Sequence, residues 1–161
     1  MIFVTVGAQM SFDRLVAWAD DWAGAAPGRE VRAQVGPSRY TPRHLQVLPF
    51  LDSPGFRRQV TEADAVVAHA GMGTILTVLE IGTPLLVVPR LGARGETRND
   101  HQLATARRFE AEKLLLAAYD RAAFFARLDG LEGAPVPPRI AAHASEALLA
   151  RLRAFLVDDP P

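Results

Sequence analysis

Apolar positions along this chain switch between two rhythms: short β-branched runs that read as strands, and apolar residues at a 3.6-residue period that read as helices. Ile2 to Val6 is a strand that runs straight into Gly7. Ser11 is placed to cap the next helix, where Phe12, Leu15, Ala19 and Trp22 share one face. Residues 31–35 alternate and end at Gly36-Pro37, a turn signal, and 44–50 is a short strand. Ser53-Pro54 predicts a cap with proline at the first helical position, opening a short helix through Val60. A strand over 64–68, a helix over 74–81 stopped by Gly82 and Pro84, and a fully apolar strand over 85–89 follow. Beyond a polar loop the pattern predicts a helix near 99–112, a strand at 114–117 and a helix near 120–129. Residues 133–138 read as a proline linker, and a last helix spans about 140–157.

Strands alternating with helices, and apolar on both faces where central, predict an α/β fold: a Rossmann-like, doubly wound parallel sheet covered on both sides. Residues 1–132 form the predicted domain, and 133–161 its linker and C-terminal helix. That helix carries Ile140, Ala144, Ala147, Leu148, Leu152 and Phe155 at helical spacing, which suits packing on its own sheet and docking to a partner equally.

Composition narrows the functional classes. With 49% apolar and 22% charged residues, the 161-residue chain reads as a single globular domain. A net charge of zero provides no field for nucleic acid or acidic lipid. The absence of cysteine removes disulfides and thiolate metal sites. The first ten residues lack the basic flank and cleavage site of a secretory signal, and no apolar run approaches the roughly 18 residues that span a bilayer.

The chemistry concentrates in "HAGMGTILTVLE", residues 69–80. In a doubly wound sheet, ligands bind beyond the carboxyl ends of the strands. Glycines at such an end let a backbone approach a ligand closely, and the amides of a helix N-terminus favour an anion. Thr74 and Thr77 add hydroxyls, so a phosphate is the natural occupant, although a plain strand-to-helix turn has the same residues. The third glycine of the dinucleotide fingerprint is missing, and no Gly-Lys-Ser/Thr ending makes a Walker A loop. Glu80 lies two turns on in an otherwise apolar helix, where a carboxylate needs hydrogen-bond donors; ribose hydroxyls would serve, as would a donor from the protein itself. "NDHQ", Asn99 to Gln102, clusters polar groups at another helix start, fit either for a hydroxyl-rich ligand or for capping by Asn99 or Asp100.

Together "HAGMGTILTVLE", "GTPLLVVP" and "NDHQLATA", with "FVTVGAQMSFDRLV", "AQVGPSRYTP" and "LPFL" upstream, resemble the C-terminal, donor-binding domain of family 28 glycosyltransferases over about residues 1–117. Within that family the chain is most similar to the small catalytic subunits of two-component transferases, eukaryotic ones acting on dolichol-linked oligosaccharide and bacterial ones in exopolysaccharide synthesis. The resemblance implies the C-terminal half of a GT-B architecture. It implies that Glu80 holds the ribose hydroxyls, that Gly71, Gly73, Thr74 and Thr77 form the diphosphate turn, and that Phe50 and Leu51 meet the uracil. It further implies that Asp100, His101 and Gln102 hold the donor sugar, with Gly7, Ala8 and Gln9 in the first loop facing the cleft. Two departures stand out. The first loop lacks the Gly-Gly-Ser of the peptidoglycan enzyme, and His69 replaces that enzyme's arginine, either as a structural histidine or as a catalytic base.

The implied function is that of a donor-binding catalytic subunit in an inverting, UDP-sugar-dependent hexosyltransferase. The chain matches only the donor half, so the resemblance implies a membrane-anchored, acceptor-binding partner that supplies the general base and holds the chain at the inner face of the cytoplasmic membrane. The acceptor would be a lipid-linked or other glycan, and neither nucleic acid nor, in principle, a metal or other cofactor is required. A non-catalytic nucleotide-sugar-binding regulatory module is the alternative on the same fold. A dinucleotide oxidoreductase is disfavoured by the missing glycine and the missing acidic residue at a neighbouring strand end.

Overall fold

The computed structural model describes residues 1–8, 10–133, 137–141 and 143–158. Gln9, expected in the first loop, and residues 134–136 of the expected linker lie outside the described residues.

Six parallel strands among the described residues make one sheet in the order β3-β2-β1-β4-β5-β6. They are β1 (Ile2–Thr5), β2 (Val31–Gln34), β3 (Gln46–Val47), β4 (Ala65–His69), β5 (Leu85–Val88) and β6 (Leu116–Ala117). The strand order reverses direction between β1 and β4, and a crevice opens at such a switch point. The helices are α1 (Asp13–Ala25), α2 (Ser53–Glu62), α3 (Met72–Ile81), α4 (His101–Ala111), α5 (Arg121–Asp129) and α6 (Glu146–Asp158).

Alternation along the strands builds two cores, because successive side chains leave opposite faces of a sheet. Ile2 and Val4 of β1 pack with Val67, Leu86 and Val88 beneath α1 and α5, where Leu15, Trp22, Phe124 and Leu128 close the layer. Phe3, Val66, Ala68, Leu85 and Val87 face the other way, against Val60, Ile75, Val78, Leu79 and Ala106 of α2, α3 and α4. The Trp22 indole N–H donates to Asp129 Oδ1 at 2.8 Å and ties α1 to the end of α5. The sheet is therefore the Rossmann-like, doubly wound fold expected, with both faces covered.

Several boundaries move, each for a local reason. Ser11 does not cap α1: the helix starts at Asp13 with no side-chain cap, and the Ser11 carbonyl accepts from Arg90 instead. At α2 the cap is Asp52, whose carboxylate accepts from the Gly55 amide at 2.8 Å, and Ser53 is already helical. Helix α3 begins at Met72, so Gly73 sits inside its first turn, and Gly82 ends it in the left-handed region at φ +88°. Strands β3 and β6 shorten to two residues each at the sheet edges.

The C-terminal helix differs most. Ile140 lies outside it and against the second core, its amide donating to the Leu79 carbonyl. α6 starts only at Glu146, one residue after Ser145, whose hydroxyl accepts from the Leu148 amide. Leu148, Leu152, Phe155 and Leu156 of α6 are all exposed, so this helix does not pack on its own sheet. Among the described residues no helix is long and apolar enough to cross a membrane.

Candidate functional site

The site forms where β1 and β4 end side by side. Thr5, the last residue of β1, is fully buried opposite Gln34 of β2; its hydroxyl donates to Gln34 Oε1 at 3.3 Å and accepts from the Gly7 amide at 3.2 Å. Gly7 turns the chain at φ +78°, a conformation that side chains other than glycine rarely take. His69 ends β4, and its ring lies between the two loops. A Cβ on Gly7 would stand 2.7 Å from His69 Cε1, and one on Gly71 2.1 Å from His69 Nε2. Both glycines thus make room for an imidazole. A Cβ on Gly73 would meet nothing within 4 Å, so the start of α3 is open to solvent rather than covered by packing.

Two cavities flank this turn and share Gly7, Ala8, Gly73 and Thr74. The first, about 360 Å³, extends toward β5 and is lined by His69, Gly71, Arg90, Thr97, His101 and Gln102. Among the described residues it has no carboxylate in its lining, which suits an anion at the α3 N-terminus. The second, about 280 Å³, extends toward β2 and is lined by Gln34, Phe50, Leu51, Asp52, Phe56 and Thr77. A third hollow of about 340 Å³ lies at the sheet edge, over Pro37, Val47 and Pro49.

Most of the expected residues come together here. Gly7, Ala8, Gly71, Gly73, Thr74, His101 and Gln102 line the first cavity, and Phe50, Leu51 and Thr77 line the second. The Thr77 hydroxyl donates to the Gly73 carbonyl at 2.9 Å, so it offers the cavity lone pairs rather than its proton. Glu80 lies one turn beyond Thr77 on the same face of α3 but is not in the lining of either cavity. Nor is it isolated: Arg57 of α2 donates to its carboxylate at 2.6 Å. Asp100 also stays out of the lining; its carboxylate accepts from the Gly92 amide at 2.8 Å and closes the loop after β5. Asn99 holds the His101 amide, at 3.2 Å, so neither residue caps α4 through the amides of its second or third helical position.

His69 is a neutral group at physiological pH. Burial, reinforced by the Arg90 charge and opposed by the Thr5 carbonyl, pushes its pKa down to about 4. Its Nδ1 is buried without a hydrogen bond of good geometry.

Sequence reasoning missed the group that ties the first cavity together. Arg90 follows the last proline of "LLVVPR" and is only 3% exposed. Its guanidinium donates to the carbonyls of Val6 (2.9 Å), Met10 (2.8 Å), Ser11 and Glu96 (3.2 Å), and stacks on the Phe12 ring. Glu96 is gripped by both ends of the Arg14 fork at 2.7 Å and accepts from the Leu91 amide. Burial works to raise the Glu96 pKa, but the Arg14 and Leu91 hydrogen bonds outweigh it and hold the carboxyl below its ordinary range. The only sequence signal was a cation directly after an apolar strand. Gln34, a polar residue in a buried strand, was the corresponding signal on the other side.

Residues 1–128 match the model of the glycosyltransferase family 28 C-terminal domain. The chain is 31% identical over 128 residues to the UDP-N-acetylglucosamine transferase subunit ALG13 of Homo sapiens, covering 69% of this chain and 10% of the relative. It therefore spans about a tenth of the length of the curated relative it matches. Among solved structures, the glycotransferase of kitacinnamycin superposes with a TM-score of 0.64 at 18% identity, over 83% of this chain and 35% of that one. The solution structure of ALG13 superposes with a TM-score of 0.58 at 18% identity, over 98% and 95%. The sheet order is that of one half of a GT-B enzyme, and with the family match over residues 1–128 the conclusion is direct: this chain belongs to the glycosyltransferase family 28 C-terminal domain family.

Proposed function

We propose that the chain binds a UDP-sugar across the two cavities and serves as the donor-binding catalytic subunit of an inverting glycosyltransferase. The observation that carries this reading is the shared waist at Gly7, Ala8, Gly73 and Thr74, with a polar cavity on one side and a partly apolar one on the other. A diphosphate seated at the waist meets the α3 amides, and the uracil lies toward Phe50 and Leu51. The ribose reaches the rim near Thr77 and Glu80. The sugar extends toward His101 and Gln102, with Asp100 shaping that loop. The human relative, a UDP-N-acetylglucosamine transferase subunit by name, supports the same donor class.

In the reaction, an acceptor hydroxyl attacks the anomeric carbon, the bond from that carbon to the diphosphate oxygen breaks, and UDP departs with the growing charge. The α3 amides are fixed where that charge develops, which is how a preorganised site lowers a barrier. The acceptor proton needs a base. With a pKa of about 4, His69 is a weak one, and deprotonation falls to a membrane-anchored, acceptor-binding partner. The exposed apolar face of α6 supports docking to such a partner, which would hold the chain at the inner face of the cytoplasmic membrane. The acceptor is a lipid-linked or other glycan, in the manner of bacterial exopolysaccharide synthesis.

Calorimetric titration with UDP tests the core of this reading. Glu80→Ala is expected to weaken UDP binding about tenfold, the worth of one or two charge-assisted hydrogen bonds. A wild-type chain that ignores UDP, or an alanine variant that binds it equally well, would overturn the proposal.

A further inference from the structure

The Arg90 cluster is the most heavily hydrogen-bonded polar feature around the first cavity, and the reaction as derived does not use it. Its connections run between two loops whose strands are not neighbours in the sheet: the segment after β1, through the Val6, Met10 and Ser11 carbonyls, and the loop after β5, through the Glu96 carbonyl. A guanidinium has five donors in a fixed plane and no acceptor, so it can span several carbonyls only in one arrangement of those carbonyls. Arg14 doubles the link, gripping the Glu96 carboxylate while also donating to the Pro89 carbonyl at 2.9 Å.

The same residue sets Gln102. The Arg90 amide donates to Gln102 Oε1 at 3.1 Å, and both residues are almost fully buried. An N–H can be satisfied only by an oxygen, which fixes which way the Gln102 amide is turned. With that oxygen engaged, the two NH₂ hydrogens are the larger part of what Gln102 offers a ligand in the cavity.

We infer that Arg90 is a positioning residue for the sugar end of the donor site: its guanidinium locks the loops after β1 and β5 to each other, and that lock fixes the main-chain amide of residue 90, which turns Gln102 so that it donates to a hydroxyl oxygen of the bound sugar. The inference rests on the UDP-sugar reading above and adds to it which residue sets the geometry and the polarity of the sugar contact.

The test compares two ligands on each variant, UDP and UDP-N-acetylglucosamine, by calorimetry. Arg90→Lys keeps the charge but replaces the fork by a point donor, and is expected to lower the ratio of UDP-N-acetylglucosamine affinity to UDP affinity about tenfold. Gln102→Glu keeps an acceptor for the Arg90 amide but turns the remaining donor into an acceptor, and is expected to lower the ratio as much. The two losses should be less than additive in the double variant, because they act through one contact. If Arg90→Lys does not fold, Glu96→Gln, which loosens the Arg14 grip, is read by the same ratio. An equal fall for both ligands, leaving the ratio unchanged in a folded variant, would show a merely structural arginine and overturn the inference. A wild-type chain that binds neither ligand would instead remove the UDP-sugar reading itself.

Discussion

The two cavities that meet over Gly7 and Gly73 are built from different materials. On the β5 side the wall holds the buried Arg90 and Gln102, each bonded to a main-chain group, and behind it Glu96 and Arg14 brace the loop after β5 against α1. On the β3 side the strand has two exposed residues, and Phe50, next to the cavity, is 73% exposed. A buried hydrogen-bonded network has few alternative arrangements and is costly to disturb, whereas an exposed apolar platform adapts cheaply. Under the proposed UDP-sugar reading, directional bonds stand where sugar hydroxyls have to be told apart, and adaptable surface where a flat ring lies. The polar side should break under small changes; the apolar side should not.

The largest expected effect lies at the joint between them. Gly71→Ala puts a methyl group 2.1 Å from His69 Nε2, and the ring has no room to retreat toward Gly7. It must swing into the first cavity, at a cost of up to about 3 kcal/mol for an overpacked site and with loss of nucleotide binding. Urea unfolding should register the loss, and His69→Ala in the same chain should restore most of it. A stable Gly71→Ala protein that still binds UDP would show that the imidazole is not held between the glycines.

A second break comes from pH. The folded chain keeps His69 neutral down to about 4, while the unfolded chain takes up that proton near 6.5. Between those values the unfolded state binds more protons, so the contribution is complete above about 6.5 and is lost as pH falls toward 4. The loss should be on the order of 2 kcal/mol, since the cavity beside the ring is partly open. Asp20 and Glu96, whose carboxyls are both held low, lose their own contributions only as pH falls through those depressed values. Thermal melts of wild type and His69→Gln from pH 7.5 to 4.5 should diverge, the variant showing the flatter profile. Parallel profiles would assign the titration to another group.

The same contrast explains what the sequence revealed. Strand period and glycine position are local, so the order of strands and helices, the Gly71 to Thr74 turn and the Gly82 stop were all legible. Arg90 was not, because its four acceptors come from Val6, Met10, Ser11 and Glu96, brought together only by the folded sheet. Glu80 was legible as a carboxylate in need of a donor, but its donor, Arg57, sits 23 residues earlier on another helix. The miss at Ser11 has the same origin, whereas that at Ser53 is local, since Asp52 next to it caps α2 through the Gly55 amide. Ser11 looked free to cap α1 because nothing nearby in sequence competes for that stretch of backbone, yet Arg90 takes its carbonyl from 79 residues away.

Phe50 gives the smallest expected change and the sharpest contrast with Gly71. Its ring is mostly in water, so truncation to alanine removes little buried area and should move the unfolding free energy by less than about 0.5 kcal/mol. It nevertheless borders both the second cavity and the edge hollow, where a planar ligand ring would lie against it. Stacking of this kind contributes about 1 kcal/mol, so Phe50→Ala should weaken UDP several-fold, and uridine by the same factor. Equal factors for both ligands would assign Phe50 to the base and leave the diphosphate to the α3 turn. A weakening confined to UDP would mean that the ring instead braces Gly7 and Ala8 from behind, and that the two sides of the site are mechanically one.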